Sequence, residues 1–593
     1  MKRTIHTAQS KEQGSHLSRF KMSLFLLGVF GVLGSVGFRA YELQIADYEK
    51  YKAIAASQHT REYSLQGDRG GIFVQDLKTG GTFPVAINRK VYNVAIDPRI
   101  IATSSEENQQ QIRETLITRF DTPAERVEEL LSRTETQWQL VTRGIPQEDI
   151  EDVIEARLRG LVFEERQERF YPERSFAASV IGYMQKDQPD QGRYGVEQYY
   201  NDMLKGKDGF ERKESDRRGV WLAVSDRDRI EPTQGSDLVL TLDHTIQFKM
   251  EETLETLVER FRPKNAMGII MDPQTGDILA MANAPDFDPN QYAEVEDIQQ
   301  FRNPSISNLY EPGSIFKPFT VGLGLEAGVI RPDSEFVDRG ELTLNGFTIR
   351  NALSKVHGRQ NMQYALDNSL NTGMVHIQQQ LGREGFANGL LERFRLGQKT
   401  GIDLPSEAQP NLGNIQREAR DARDINYATA SYGQGIALTP LQMLTSFNAI
   451  ANDGVIMKPR IVKEVRTAEG DRTTFGAEEL GRALSPEATK QIAKMMVSTV
   501  DNGHGRRAAV KGYSIGGKTG TAQIATAGGY GDDTLQSFIQ FATLANPRYT
   551  LIISLDSPQG SRFSDGSVVP AVGELNEFLL NYFEIEPDRI IQE

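Results

Sequence analysis

Residues 512–523 read "GYSIGGKTGTAQ", and three kinds of reaction use patterns contained in that stretch. Gly512 to Thr519 fits G-x-x-x-x-G-K-[ST], a loop whose backbone amides cradle phosphate. Gly512 to Gly516 fits G-x-S-x-G, the strained turn that presents a nucleophilic serine in one class of hydrolases. Lys518-Thr519-Gly520 fits the K-T-G that accompanies S-x-x-K and a second serine in another group of acyl-transfer enzymes. The three chemistries need different partners, so the rest of the chain decides between them.

A phosphate loop must leave a strand and enter a helix, because the helix N-terminus meets the phosphate. "GTAQIATAGGYGDD" after Lys518-Thr519 is too glycine-rich for that. The hydrolase turn needs an acid and then a histidine downstream, and no histidine follows Ser514. K-T-G occurs three times, at Lys78-Thr79-Gly80, Lys399-Thr400-Gly401 and Lys518-Thr519-Gly520, and the first two read as turns. S-x-x-K occurs at Ser18–Lys21, beside an apolar segment, and at Ser314–Lys317 in "YEPGSIFKPFT". The second match begins a helical pattern, where a residue three places on shares a face with the serine. S-x-N occurs at Ser369-Leu370-Asn371, within the small polar run "ALDNSLNTGM", and at Ser446-Phe447-Asn448, within an amphipathic helix. Ser314, Ser369 and Lys518, in that order, make one constellation for serine acyl transfer.

Those residues need an antiparallel sheet and helices to hold them. "LVLTLDHTIQFKMEETLETLVERF" predicts a strand and a long helix, and "NAMGIIMDPQTGDILAMAN" (265–283) predicts a hairpin. "QSFIQFATLA" (536–545) and "YTLIISLD" (549–556) predict strands near the end of the chain. Strands at both ends with helical sequence between them predict an α+β domain whose sheet is built from both ends and packed with helices. Upstream, residues 40–107 mix short β-like runs such as "KVYNVAID", and 108–160 carry helical spacing. The charged segment 226–237, with Pro232 and Gly235, marks a boundary.

The chain has 593 residues, no cysteine and a formal charge of −14. Cysteine ligands and thiol nucleophiles are excluded, and the acidic balance argues against a nucleic-acid partner. Its seven histidines show no metal-ligand spacing, so neither a metal nor a cofactor is expected. Residues 22–38 are uncharged, and Lys2, Arg3, Lys11, Arg19 and Lys21 precede them against one acid, Glu12. That pattern predicts a single membrane anchor with its N-terminus in the cytoplasm and the bulk of the chain outside. A cleaved signal peptide, cut near Ser35-Val36-Gly37, is the alternative.

At "EPGSIFKP", "SLNTGM", "GKTGTAQ", "MDPQTGDILAMAN" and "YGQGIALTPLQM" the chain resembles the class B penicillin-binding proteins, monofunctional D,D-transpeptidases of the bacterial cell wall. "DRGGIF", "FYPERSFAASVIGY" and "YGVEQYYNDMLKGKDG" resemble the pedestal of that family. "VQDLKTGG" departs from the family's usual D-R-N-G turn, and "QKTGIDLPSE" matches a surface segment of it. The resemblance implies a tail at 1–21, an anchor at 22–39, an elongated mixed α/β pedestal at 40–235 and a transpeptidase domain with a five-stranded antiparallel sheet at 236–585.

It also implies the roles. Ser314 is the nucleophile, Lys317 its general base, Ser369 a proton relay, and Lys518 an electrostatic and relay group. Asn371, Thr519, Gly520 and Thr521 would bind substrate, with the N–H groups of Ser314 and Thr521 as the oxyanion hole. A lysine with its ordinary pKa near 10.4 is a cation at neutral pH, so Lys317 must be neutralised by burial and by the nearby charge of Lys518. The implied partners are peptidoglycan stem peptides on lipid-linked precursor strands, β-lactams, a membrane glycosyltransferase and the plasma membrane, with septal division favoured over elongation. A D,D-carboxypeptidase, a β-lactamase-like hydrolase, and a penicillin-binding sensor or scaffold are the alternatives.

Overall fold

The computed structural model describes residues 10–51, 60–65, 67–186, 188–214, 228–416, 423–526 and 529–589. They fall into two compact units, residues 1–67 with 207–233, and residues 68–206 with 234–593. In the first unit a helix, Ser10–Tyr41, precedes a three-stranded antiparallel sheet of Thr60–Leu65, Gly209–Glu214 and Asp228–Ile230. Phe20–Ala46 is the one segment among the described residues long and apolar enough to cross a membrane. The basic residues Lys2 and Arg3, used above for orientation, lie outside the described residues.

In the second unit, strands β1 (Ile72–Gln75), β2 (Thr82–Ile96), β3 (Gln139–Pro146) and β4 (Leu161–Phe170) build the first layer. β2 is the long central strand and pairs antiparallel with β1, β3 and β4. The first K-T-G lies in the β1–β2 turn. There the Asp76 carboxylate accepts from Lys78 N, Thr79 N and Thr79 Oγ1, and Gly80 takes φ +72°. The helical spacing of 108–160 appears as Glu106–Thr118, Ala124–Ser132 and a short turn at Glu151–Glu155. These cover a small core around Ile112, Leu116 and Leu130.

β5 (Asp237–Asp243) pairs parallel with β1 and leads into helix α1 (His244–Phe261), whose N-cap Asp243 accepts from Ile246 N. The hairpin β6 (Asn265–Met271) and β7 (Ile278–Ala284) follows as its sequence predicts. Helices α2 (Lys317–Glu326), α3 (Met362–Asp367) and α4 (Asn371–Asn388) come next. Strand β8 (Val462–Arg466) joins β5 on the mixed sheet. Helix α5 (Pro486–Asp501) precedes β9 (Ile515–Thr526), β10 (Gly529–Ala542), β11 (Thr550–Asp556) and the helix α6 (Val568–Tyr582).

The five-stranded sheet has the order β7-β6-β11-β10-β9 and is antiparallel throughout, with its strands drawn from both ends of this region. Apolar side chains of α1 and α6 pack on one face in a single cluster that includes Ile246, Leu254, Ile553 and Leu579. α5 packs beside β9, and α2 beside α5. α2 is buried on every side from Lys317 to Leu325, so it runs through the core instead of lying on it. Directly after Thr519 the chain continues as strand β9 and does not enter a helix, which removes both the phosphate-loop and the hydrolase-turn geometry.

Candidate active site

Glu311-Pro312-Gly313-Ser314 enters the core through a tight turn. Gly313 takes φ +58°, and Gly313–Phe316 forms a 3-10 turn before α2 begins at Lys317. Ser314 therefore sits in the 3-10 entry, ahead of the first α-helical turn predicted for it. Gly313 N donates to Gly433 O at 3.0 Å, and Gly433 itself takes φ +83°. A Cβ on Gly433 would fall 2.2 Å from Gly313 O, so only glycine lets "SYGQG" press this closely behind Ser314. On the other side, a Cβ on Gly520 would lie 2.9 Å from Ile315 Cγ2. The K-T-G strand and the serine turn are thus in van der Waals contact.

Lys317 is fully buried, and its Nζ donates to Ser369 O at 2.5 Å and to Ser369 Oγ at 2.9 Å. Burial, and then the charge of Lys518, hold the Lys317 amine well below the ordinary lysine range. Among the described residues Ser314 Oγ makes no hydrogen bond, so Lys317 is engaged with Ser369 and not with Ser314. Ser369 occupies the turn between α3 and α4 at φ +55°, a conformation that costs a non-glycine residue roughly 1–2 kcal/mol. Leu370 N donates to Ala365 O at 2.8 Å and locks that turn.

Lys518, on edge strand β9, is 3% exposed; burial pulls its pKa down to about 7, while Asp367 pulls the other way. Asp367, two residues before Ser369, accepts from Gln363 Nε2 at 2.8 Å and Ser498 Oγ at 3.0 Å. Lys518 Nζ donates to Thr519 O at 3.1 Å, and Thr521 Oγ1 accepts from Ser564 N at 3.3 Å. Asn371 Nδ2 is committed to Arg350 O at 2.8 Å and makes no hydrogen bond to Lys317. The structure thus gathers Ser314, Lys317, Ser369, Lys518, Thr519, Gly520 and Thr521, and holds Asn371 at the α4 start with its amide turned to a neighbouring hairpin.

Two neighbours escaped the sequence reading. Asp367 carries no motif; its one signal is that it precedes Ser369 in the same short helix-to-turn run. His504 looks isolated in sequence, yet its imidazole is held low by burial, then by the charge of Lys518, with Asp565, Lys317 and Lys355 also acting on it. Its turn is pressed onto α3, since a Cβ on Gly503 would come 2.6 Å from Asp367 O. The other K-T-G, at 399–401, is a surface turn whose one buried residue, Thr400, donates from both N and Oγ1 to Glu407. Ser446 points into the core and donates to Phe394 O. Among the described residues no group of three His, Asp or Glu side chains is placed to hold a metal.

An antiparallel five-stranded sheet, an all-buried central helix bearing a lysine three residues after a serine, and a second lysine on the edge strand define a serine acyl-transfer fold. Residues 266–576 match the penicillin binding protein transpeptidase domain, and residues 65–240 match the penicillin-binding protein dimerisation domain. Stage V sporulation protein D of Bacillus subtilis is 30% identical over 582 residues, covering 97% of this chain and 87% of that one. The probable peptidoglycan D,D-transpeptidase PenA of Neisseria meningitidis is 27% identical over 577 residues, covering 96% and 94%. The crystal structure of penicillin binding protein 3 from Mycobacterium tuberculosis with aztreonam superposes with a TM-score of 0.67 at 26% identity, covering 89% of this chain and 99% of that one. The chain belongs to the class B penicillin-binding proteins, with a dimerisation domain ahead of a transpeptidase domain.

Proposed function

We propose that the protein is a membrane-anchored D,D-transpeptidase that crosslinks peptidoglycan stem peptides through an acyl-enzyme on Ser314, and that β-lactams acylate the same serine. The observation that carries this reading is the fully buried Lys317 amine on Ser369, held low by burial and Lys518 beside the serine turn. A neutral Lys317 takes the Ser314 proton as Oγ bonds to the penultimate D-Ala carbonyl. Ser314 N–H and Thr521 N–H receive the developing oxyanion. The amide C–N bond then breaks, and the proton passes from Lys317 through Ser369 to the departing D-Ala amine. Lys518, Thr519 and Thr521 hold the terminal carboxylate, Gly520 lets the edge strand lie against the nucleophile, and the substrate extends along that strand. Asn371 contacts the substrate amide through its carbonyl oxygen or its second amide hydrogen, the first being donated to Arg350 O.

In the second half, an acceptor amine bonds to the acyl carbon while the ester C–O bond breaks. The amine's proton returns through Lys317 to Ser314 Oγ. The reading extends to a tail at 1–21, an anchor at 22–39 with its N-terminus cytoplasmic, a pedestal at 40–235 and a transpeptidase domain at 236–585. Further partners are a lipid-linked precursor strand and a membrane glycosyltransferase, with the division septum as the site of action.

Fluorescent penicillin labelling followed by peptide mapping tests the core of it. We expect a stable adduct on Ser314, no adduct in Ser314→Ala, and a loss of at least about 10²-fold in labelling rate in Lys317→Ala. A folded wild-type protein that takes up no label, or a label mapped elsewhere, overturns the assignment.

A further inference from the structure

We propose that Glu311 is the recognition group for the ammonium of the incoming acceptor amine. This rests on the transpeptidase reading above and deepens it. Glu311 lies three residues before Ser314, half-buried at the cleft. Its Oε1 accepts from Gly435 N at 3.1 Å and its Oε2 accepts from Tyr530 OH at 2.9 Å. Both donors are neutral, and an ionised carboxylate has about four lone-pair sites, so two are left over. Among the described residues no lysine or arginine forms an ion pair with it. Asp367, which likewise accepts from neutral donors, Gln363 and Ser498, has the charge of Lys518 acting on it. An anion beside a nucleophile, held by neutral donors and given no countercharge, is the arrangement that takes a cation from solution.

Strand β9 sets where that cation would sit. Each strand residue advances about 3.3 Å. β9 begins its approach at Lys518, passes the serine turn at Gly520 and Ala522, where a Cβ on Gly313 would touch Ala522 Cβ at 3.0 Å, and reaches Ala525, which pairs with Tyr530 of β10. Along this edge the order is therefore cation, nucleophile, anion. The turn behind the serine belongs to the same unit, because Gly433 braces Gly313 and Gly435 binds Glu311. Tyr432 and Tyr530 flank the carboxylate, and burial followed by the Glu311 charge raises both phenols, so they stay neutral. The donor's carboxylate is drawn to the Lys518 end and leaves the Glu311 end open to the second substrate. That substrate is a primary amine, which is mostly an ammonium at neutral pH. It gives one proton to solvent before attack. Its nitrogen then bonds to the acyl carbon as the ester C–O bond to Ser314 breaks, and its second proton returns to Ser314 Oγ through Lys317.

The test uses the full chain in detergent with an acyl-D-alanyl thioester as donor and two isosteric acceptors, D-alaninamide and D-lactamide. Hydrolysis of the same donor is the internal reference, so each product ratio is independent of the folded fraction. In Glu311→Gln we expect the aminolysis-to-hydrolysis ratio to fall about tenfold and the D-lactamide ratio to stay within about twofold. A companion measurement needs no variant. Raising ionic strength from about 0.01 M to 1 M shortens the screening length from roughly 30 to 3 Å and should lower only the wild-type aminolysis ratio. An aminolysis ratio unchanged in the variant, or both ratios falling together, overturns the assignment of Glu311; so does a wild-type aminolysis ratio indifferent to salt. A wild-type enzyme that hydrolyses the donor but never transfers it to D-alaninamide overturns the transpeptidase reading itself.

Discussion

At the scale of single residues the site depends on two lysines made unlike each other by their surroundings. Both lose hydration, which disfavours the cation. Lys518 also has Asp367 to draw it back up, and Lys317 has only Lys518, which pushes it further down. Of the two, Lys518 is therefore the one whose surroundings favour the proton, and Lys317 the one whose surroundings favour the neutral amine that the proposed base needs. The sign of the pH dependence follows. In the proposed mechanism Lys317 must be neutral, which is lost as pH falls, and Lys518 must be charged to attract a carboxylate, which is lost as pH rises through about 7. The acylation rate with a carboxylate-bearing donor should be bell-shaped. Asp367→Asn removes the group that raises Lys518, so the alkaline limb should move to lower pH by roughly half a unit to one unit. Labelling rates measured from pH 5 to about 9 would show it, and an unmoved alkaline limb would remove Asp367 from the site.

At the scale of elements, close approach matters more than hydrogen bonding. Three backbones meet at Ser314: the 3-10 entry to α2, the "SYGQG" turn and edge strand β9. Glycine is required where they touch. Gly433 is the sharpest case, with φ +83° and a neighbouring carbonyl 2.2 Å from any added Cβ. Gly433→Ala should cost about 1–3 kcal/mol of stability and slow penicillin labelling at least tenfold, because relief of the clash has to move Gly313 and the serine. Thermal unfolding and labelling kinetics on one sample would check both, and a variant with wild-type labelling would show that the serine turn does not depend on this contact. Ser369 is the converse case, a non-glycine held at φ +55° where its hydroxyl is needed by Lys317.

At the scale of the second compact unit, a buried charge cluster ties together segments around its first sheet. Glu197 is fully buried and binds Arg69 at 2.7 Å and Arg169 at 2.7 Å, with Tyr171 OH also donating to it. Burial alone would raise this carboxyl, but Arg169 and Arg69 together leave it lowered. A lowered carboxyl adds stability above its unfolded pKa and loses it as pH falls through the folded value. Glu197→Gln leaves two guanidinium groups without their partner, so we expect a loss of about 3–5 kcal/mol at neutral pH. The gap from wild type should narrow as the solution is acidified below about pH 4. Denaturant titrations at two pH values measure it, and a neutral-pH loss under about 1 kcal/mol would mean that the cluster is not a structural tie. Asp403 carries the connection onward, accepting from Tyr200 OH and from Ile461 N and Val462 N near the start of β8.

Local chemistry was written plainly in the chain. A serine and a lysine three apart, the small polar turn at Ser369, the hairpin at 265–283 and the late strands depend on spacing within one turn or one strand, and a single sequence displays that spacing directly. The 3-10 entry at Ser314 was not visible, because α and 3-10 turns share the same residue preferences and packing against Gly433 and Gly520 selects between them. Asp367 and His504 belong to no motif, and Glu311 opens "EPGSIFKP" without any sign of what it faces; their meaning comes from neighbours far away in the chain. A pKa depends on burial and on charges in space, so the neutral Lys317 and the compensated Lys518 exist only after strand β9 is laid beside the serine turn. The amino-acid sequence by itself determined which groups could react. Tertiary structure decided which of them are dry and which surroundings favour charge, because desolvation and Coulomb energy are properties of the packed site.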